Sequence, residues 1–300
     1  MNEVFLLTSI KRKRAELLQS CQSVFRCPLC RSAMAVSQFQ SLMCGHGHTF
    51  DISKQGYVNF LNKSVKTRYD RQLFEARRAL FDSREFFVPV QKEIAAIISR
   101  IQSPQTKTAA ILDAGCGEGS HLAAVCKWLQ PAFSVTGIGI DLSKEGVLHA
   151  AKAFGDHFVF AVADVADAPF ADSCFDVVMS VLSPWNYKEC SRLLRKGGTV
   201  IKAVPGRDYL KEVREFFFGD SPRRNDTADS AAGRFQAGFQ TFERKRLCYT
   251  KTLSQPDLER LVKMTPLTWK CTDESIRRFI SRKAADITID IDILIGNGPL

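Results

Sequence analysis

The sequence predicts an α/β protein: a largely parallel sheet with helices on both faces, preceded by a small metal-binding module. Three observations predict it. From about residue 86 onward, apolar runs of strand length alternate with amphipathic segments of helix length, as in a parallel sheet joined by crossover helices. Residues 109–119 carry four apolar side chains into Asp113 and then place glycines at 115, 117 and 119. That is the form of a buried strand ending in a tight turn that opens into a helix. Near the N-terminus, Cys27 and Cys30 are followed fourteen positions on by Cys44, with His46 and His48 just beyond. Two close pairs of soft donors suit a tetrahedral zinc ion.

Composition bounds the classes. The chain has 300 residues, 45% hydrophobic and 25% charged, enough for one large domain or two smaller ones with a sizeable core. No run is long and apolar enough to span a bilayer, no signal peptide is expected, because Lys11–Arg14 follow the short apolar run instead of preceding it, and no internal repeat is visible. The ten cysteines do not make the dense framework of a small secreted domain, so a reducing cytoplasm with mostly free thiols is expected. The net charge of +10 is uneven. Residues 1–84 hold 14 Lys and Arg against 6 Asp and Glu, an excess of +8, and the rest carries only +2. A basic first part beside a near-neutral body suits a polyanionic partner.

Taken in order, residues 1–23 are an extension whose first twenty read as a short helix or a flexible arm. Residues 24–62 form the metal module. Cys27, Cys30, Cys44 and His48 supply four ligands, with His46 competing for the fourth place. So few apolar side chains could hardly fold this stretch unless metal binding contributed. Four protein ligands leave no open position, which makes the zinc structural. The alternation over 48–62 reads as a hairpin. Residues 63–85 are a basic linker with Lys63, Lys66, Arg68, Arg71, Arg77 and Arg78, expected as a mobile loop running into a helix. Residues 86–300 form the main domain. Helix 86–101 is followed by strand 109–116, a helix over 120–129, then strands 134–140, 158–163, 175–180 and 199–204. Residues 193–198 end a helix at a glycine stop. A helix at 207–218, a polar loop at 219–240, a helix at 255–264 and late strands at 246–252 and 287–295 complete the chain.

The glycine spacing is G-x-G-x-G, with Asp113 two positions before the first glycine, and not the G-x-G-x-x-G of dinucleotide folds. This form resembles motif I of the class I, Rossmann-like S-adenosylmethionine-dependent methyltransferases. A ligand-free turn or another nucleotide site is the alternative. On the methyltransferase reading, Asp113, Gly115, Gly117, Glu118, Gly119, Ser120 and His121 surround the cofactor. Asp141 ends the second strand 22 positions beyond Gly119 and fits bidentate acceptance from ribose hydroxyls, with Leu142 beside it. An Asp after a strand is also often a helix cap, and Ser143 competes for that role. Asp164, at the end of the third strand, fits the adenine amino group.

The module, the basic linker and this body together resemble the RlmA-type 23S rRNA (guanine-N1)-methyltransferases over roughly residues 24–295. The residues that carry the resemblance are Cys27-Pro-Leu-Cys30, Cys44 with His48, Phe50-Asp51 and Lys54-Gln-Gly-Tyr-Val-Asn59. They continue with Ala76-Arg-Arg78, Leu112 to Gly119, and Met264-Thr-Pro266 with Trp269. The resemblance implies S-adenosylmethionine and zinc as cofactors. It also implies methylation of guanine N1 in a 23S rRNA hairpin near the peptide exit tunnel, which in some members affects macrolide susceptibility. Neither DNA nor a membrane is an expected partner, and a homodimer is left open. Tyr209 stands where the family's cofactor-contacting His is expected, and Phe87 where an aromatic residue contacts the cofactor.

Guanine N1 is protonated near neutral pH, so a base must take its proton. Acidic side chains around 183–187 or 164–172 are the candidates. Trp185 could stack on an extruded base or serve as plain packing. Two rivals are a small-molecule methyltransferase, which leaves the metal module without a role, and an RNA-binding ribosome-assembly factor whose active site has lapsed.

Overall fold

The computed structural model describes residues 3–63, 65, 68–102, 108–130, 132–184, 186–219 and 227–299. Lys66 and Trp185, singled out in the sequence, lie outside the described residues. The N-terminal part holds α1 (Glu3–Ser20) and an antiparallel sheet of β1 (Met34–Ser37), β2 (Ser41–Cys44) and β3 (Thr49–Asp51). β4 (Val58–Asn59), α2 (Arg71–Arg84) and α3 (Val88–Ile101) lead into the main domain. There β5 (Thr108–Ala114), α4 (Ser120–Leu129), β6 (Ser134–Asp141), α5 (Lys144–Phe154), β7 (Val159–Val162) and β8 (Phe175–Val181) alternate. After α6 (Tyr187–Leu193), β9 (Leu194–Pro205), α7 (Lys211–Phe218) and α8 (Thr227–Gln236) comes the long pair β10 (Phe239–Ser254) and β11 (Ala284–Pro299). Within that pair lie α9 (Gln255–Met264) and α10 (Asp273–Ile280).

The main sheet runs β10-β11-β9-β8-β5-β6-β7-β4. β4 to β9 pair in parallel, and β11 joins antiparallel to both β9 and β10. This is the class I methyltransferase sheet, with one extra edge strand. Central strands buried on both faces explain the unbroken apolar runs. On β5, Ala109 and Ile111 enter one core, and Leu112 and Ala114 enter the other.

The second core is shared with the metal module. Phe25, Phe50 and Phe60 pack with Leu112, Val159, Phe170 and Phe175, and the Phe25 and Phe170 rings stand 5.2 Å apart. The hairpin over 48–62 closes through an Ile52–Val58 bridge, and its second arm, β4, is also the edge strand beside β7. Residues 3–20 are not a flexible arm. Ala15 and Leu18 of α1 are fully buried, and Arg14 donates to Asp156 at 2.9 Å and to the Gln55 carbonyl at 2.8 Å.

Other expectations need correction. Residues 227–236 are helical, because Ala228, Ala232 and Phe235 fall on one buried face. Gly197 and Gly198 do not stop a helix; α6 has already ended at Leu193, and both lie within β9. The two late strands are sixteen residues each, longer than their apolar cores suggested, since the pair runs past the sheet edge. α10 was not anticipated; a Thr272 hydroxyl accepting from Ser275 N caps it.

Candidate active site and metal centre

In the module, tight turns bring Cys27, Cys30, Cys44 and His48 together, with all ligand atoms within 4.8 Å of one another. His48 presents Nδ1, 3.5 Å from Cys27 Sγ and 3.4 Å from Cys44 Sγ. Cys30 and Cys44 Sγ are 3.7 Å apart. His46 is exposed and reaches only Ser32 Oγ at 3.4 Å, so the fourth place belongs to His48. Hydrogen bonds from Ser32 hold the Cys30 thiol down at about 5. Three sulfurs and one imidazole at this spacing fit a closed structural zinc.

At the end of β5, Gly115 N and Cys116 N both donate to the Ile140 carbonyl, at 2.8 and 3.0 Å. This ties the glycine turn to β6. Gly115 has φ +84°, and a Cβ there would fall 1.7 Å from Ser183 Oγ. Gly119, at φ +81°, is the N-cap of α4. Asp141 clamps the same turn: Oδ2 accepts from Gly117 N at 2.9 Å and Oδ1 from Ser143 N at 2.8 Å. Burial nevertheless pushes its pKa upward, against those two hydrogen bonds. The cap of α5 is Ser143, whose Oγ accepts from Gly146 N, so Asp141 is not the capping residue. Leu142 beside it is half-buried. Asp164 accepts from Ala166 N at 2.8 Å in a turn after β7.

Asp113 and Glu118 are each 1% exposed. Asp113 Oδ2 and both Glu118 oxygens have no hydrogen-bond partner among the described residues. Burial pushes the Asp113 carboxyl up to about 8. Glu118 has an ionic neighbour in Arg77, Nε to Oε2 at 3.2 Å, though the angle makes no hydrogen bond. Unsatisfied buried acceptors are costly and call for a donor. S-adenosylmethionine, with its ammonium, ribose hydroxyls and adenine amine, is rich in donors and fits this set. α2 roofs the turn: Phe74 Cε1 and Arg77 Nη1 lie 3.3 and 3.4 Å from where a Gly117 Cβ would stand.

Beside this turn lies a cavity of about 440 Å³, lined by Arg77, Phe87, Leu182, Tyr209, Arg214 and Pro266 among others. It sits outside the carboxyl ends of the strands, where open α/β sheets take ligands. Phe87 and Tyr209 both reach it. The other expected cofactor residues, Asp113, Gly115 and Gly117 to His121 of the glycine turn with Asp141, Leu142 and Asp164, are not in its lining, and Arg77 links the turn to it. Ser120 belongs to a separate hollow with Arg78 and Phe158. His121 packs against Phe81 and Phe87, ring centroids 5.1 and 5.3 Å away, and burial drives its pKa well down. The turn carrying Tyr209 is held by Asp290, which accepts from Asp208 N at 2.7 Å and from Arg246 Nε at 2.8 Å.

Among the described acidic side chains in or near the candidate stretches, Asp164 keeps only its backbone contact with Ala166, and the others form ion pairs. Asp167 pairs with Arg31, and Arg192 holds both Asp172 and Glu189. Sequence reasoning did not assign Arg77, Arg214 or Tyr69 to the site; the quoted Ala76-Arg-Arg78 motif was the available signal for Arg77.

Residues 25–67 match the family described as RlmA, N-terminal, and residues 111–198 match the family described as Methyltransferase domain. A Streptomyces fradiae protein, the 23S rRNA (guanine(748)-N(1))-methyltransferase, is 33% identical over 258 residues, 85% of this chain and 89% of that protein. The Bacillus subtilis (strain 168) protein YxjB, provisionally named a 23S rRNA (guanine-N(1)-)-methyltransferase, is 50% identical over 275 residues, 91% of this chain and 97% of that protein.

The chain belongs to the 23S rRNA (guanine-N1)-methyltransferase family.

Membership covers both regions at once, the zinc ribbon and the methyltransferase sheet. No helix among the described residues is long and apolar enough to cross a membrane.

Proposed function

We propose that the chain methylates N1 of a guanine in a 23S rRNA hairpin, using S-adenosylmethionine, in the cytoplasm. The observation that carries the reading is the set of buried acceptors with no hydrogen-bond donor among the described residues, Asp113 Oδ2 and the Glu118 oxygens, at a glycine turn that Arg77 links to the cavity. When bound, S-adenosylmethionine supplies an activated methyl group on sulfur. Glu118 and Asp113 would take donors from the methionine end, and Arg77 would offer a cation to its carboxylate. Asp141 would accept ribose hydroxyls with the lone pairs its two backbone donors leave, and Asp164 would accept from the adenine amine. Phe87 and Tyr209 wall the cavity and exclude water, which strengthens each of these contacts. The chain's main contribution is positioning and electrostatics.

The basic face supports an RNA substrate. Lys54, Lys63 and Arg68 are exposed, whereas Arg71 is partly neutralised by Glu75 at 2.7 Å. Labelled S-adenosylmethionine incubated with the purified chain and 23S rRNA, followed by nucleoside analysis, tests the reading. Label in N1-methylguanosine is the expected result. Label only in small molecules would favour the small-molecule rival, and no transfer would favour a lapsed assembly factor.

A further inference from the structure

Two exposed aromatic residues sit together at the edge of the cavity. Tyr69 keeps 39% and Trp269 36% of its surface open. Their rings meet at 5.4 Å with an interplanar angle of 75°, and the Arg68 guanidinium stands 5.9 Å from the Trp269 ring centre. Tyr69 also lines the cavity, together with Pro266 and Leu267, and Trp269 N donates back to the Pro266 carbonyl at 3.4 Å. The pair is therefore continuous with the cavity wall. It is also held firmly: the Tyr69 carbonyl accepts from Ser143 Oγ at 3.3 Å, next to the Asp141 clamp. Exposed Lys270 follows Trp269 in the chain.

We propose that Trp269, with Tyr69 and Arg68, is a stacking platform for the RNA base next to the target guanine. The proposal rests on the rRNA reading above. Indole, phenol and guanidinium all accept the face of a base, and such stacking tolerates any base because each has a π-face. A guanine extruded into the cavity leaves its neighbour unstacked. Of the exposed large aromatic residues described, Tyr69 lines the cavity and Trp269 meets its ring, whereas Trp128 and Phe218 are not in the lining; the Arg68 cation beside the pair suits an adjoining phosphate. A hydrophobic protein partner would gain little from Arg68 and Lys270 beside so small an apolar area.

The test compares wild type, Trp269→Ala, Trp269→Phe and Arg68→Gln with a 23S rRNA transcript. Trp269→Ala should weaken RNA binding on the order of tenfold, and Trp269→Phe should restore most of it. Neither should change S-adenosylmethionine affinity, and Trp269→Ala should keep the wild-type salt slope. Arg68→Gln should flatten that slope by about 0.7 to 0.9. Wild-type RNA affinity in Trp269→Ala would overturn the platform. So would equal losses in the Ala and Phe variants, or loss of RNA and S-adenosylmethionine binding together, since either outcome means packing alone. If wild type transfers methyl to rRNA and Trp269→Ala does not differ, only the platform falls. If wild type transfers nothing to rRNA, the functional reading fails and the platform falls with it.

Discussion

Only 21 positions separate Cys27 from His48: Cys44 ends β2, His48 follows it in the turn to β3, and the knuckle of Cys27 and Cys30 is closed by the Arg26–Ala33 bridge. The cavity instead collects Tyr69, Phe87, Leu182, Tyr209 and Pro266 from both ends of the chain. The ribbon's ligand atoms gather on one another at the cluster, whereas at the sheet Asp113 Oδ2 and the Glu118 oxygens have no hydrogen-bond donor among the described residues, Glu118 keeping only its ion pair with Arg77. A local site can be completed by its own turns and a metal. A site assembled by the whole fold stores unsatisfied groups that only a ligand completes. Yet the two regions share a core through Phe25 and Phe170, so they are not independent bodies.

The largest effect tests that shared core. Removing the metal by chelation, or replacing Cys30→Ser, should abolish the one zinc per chain and withdraw a contribution that reaches about 10 kcal/mol or more in small zinc folds. Because β4 and Phe25 are built into the main sheet and its core, the whole chain should then melt earlier in one transition. A ribbon that unfolds while the sheet keeps its melting temperature would show two separate units.

Two glycines with the same backbone angle give a sharper contrast. Gly47 and Gly115 have φ of +81° and +84°, but a Cβ on Gly47 meets nothing within 4 Å, while one on Gly115 strikes Ser183 Oγ at 1.7 Å. Gly47→Ala should cost about 1 kcal/mol of strain. Gly115→Ala should lower stability by roughly 3 kcal/mol or more and abolish cofactor binding. Thermal melts with calorimetric titration check both; equal losses would mean that crowding at the cavity side is irrelevant.

Asp141→Ala removes both the turn clamp and the ribose acceptor. With charge-assisted hydrogen bonds worth about 1.5–3 kcal/mol, S-adenosylmethionine affinity should fall roughly 10- to 100-fold by calorimetry. An unchanged affinity would confine Asp141 to its contacts with Gly117 and Ser143.

The smallest effect depends on pH. Burial depresses the folded pKa of His121 well below 6.5, so the unfolded chain takes up a proton that the folded chain refuses. The stability this group permits is present above about pH 6.5 and is lost as pH falls, by up to about 2 kcal/mol at pH 5. In His121→Gln that part of the acid slope should vanish in denaturant titrations at pH 7 and pH 5. An identical slope would mean that the imidazole accepts its proton while folded.

What could be read in advance follows the same division. The zinc ligands, the glycine turn and the central strands are written in short-range spacing and in runs buried on both faces. The union of Arg77 with Glu118 and the roof that α2 makes over Gly117 depend on tertiary packing, which no local pattern encodes. α8 was obscured because small residues mark its buried face, Ala228 and Ala232. Residues 3–20 were obscured because their charges form specific pairs, such as Arg14 with Asp156, instead of a solvated face. The engaged state of Asp167 and Asp172 likewise needed the fold, since their arginine partners sit in other segments, whereas Glu189 meets Arg192 at i,i+3 within α6.

The central claim is that sheet and ribbon act together on one guanine of the large-subunit rRNA. Nucleoside mass spectrometry of 23S rRNA from cells with and without the gene tests it most directly, with an Asp113→Asn, Glu118→Gln double variant as the complementing control. The account predicts an N1-methylguanosine that disappears on deletion, returns with the wild-type chain and does not return with the double variant. An unchanged N1-methylguanosine level across all four strains would contradict it.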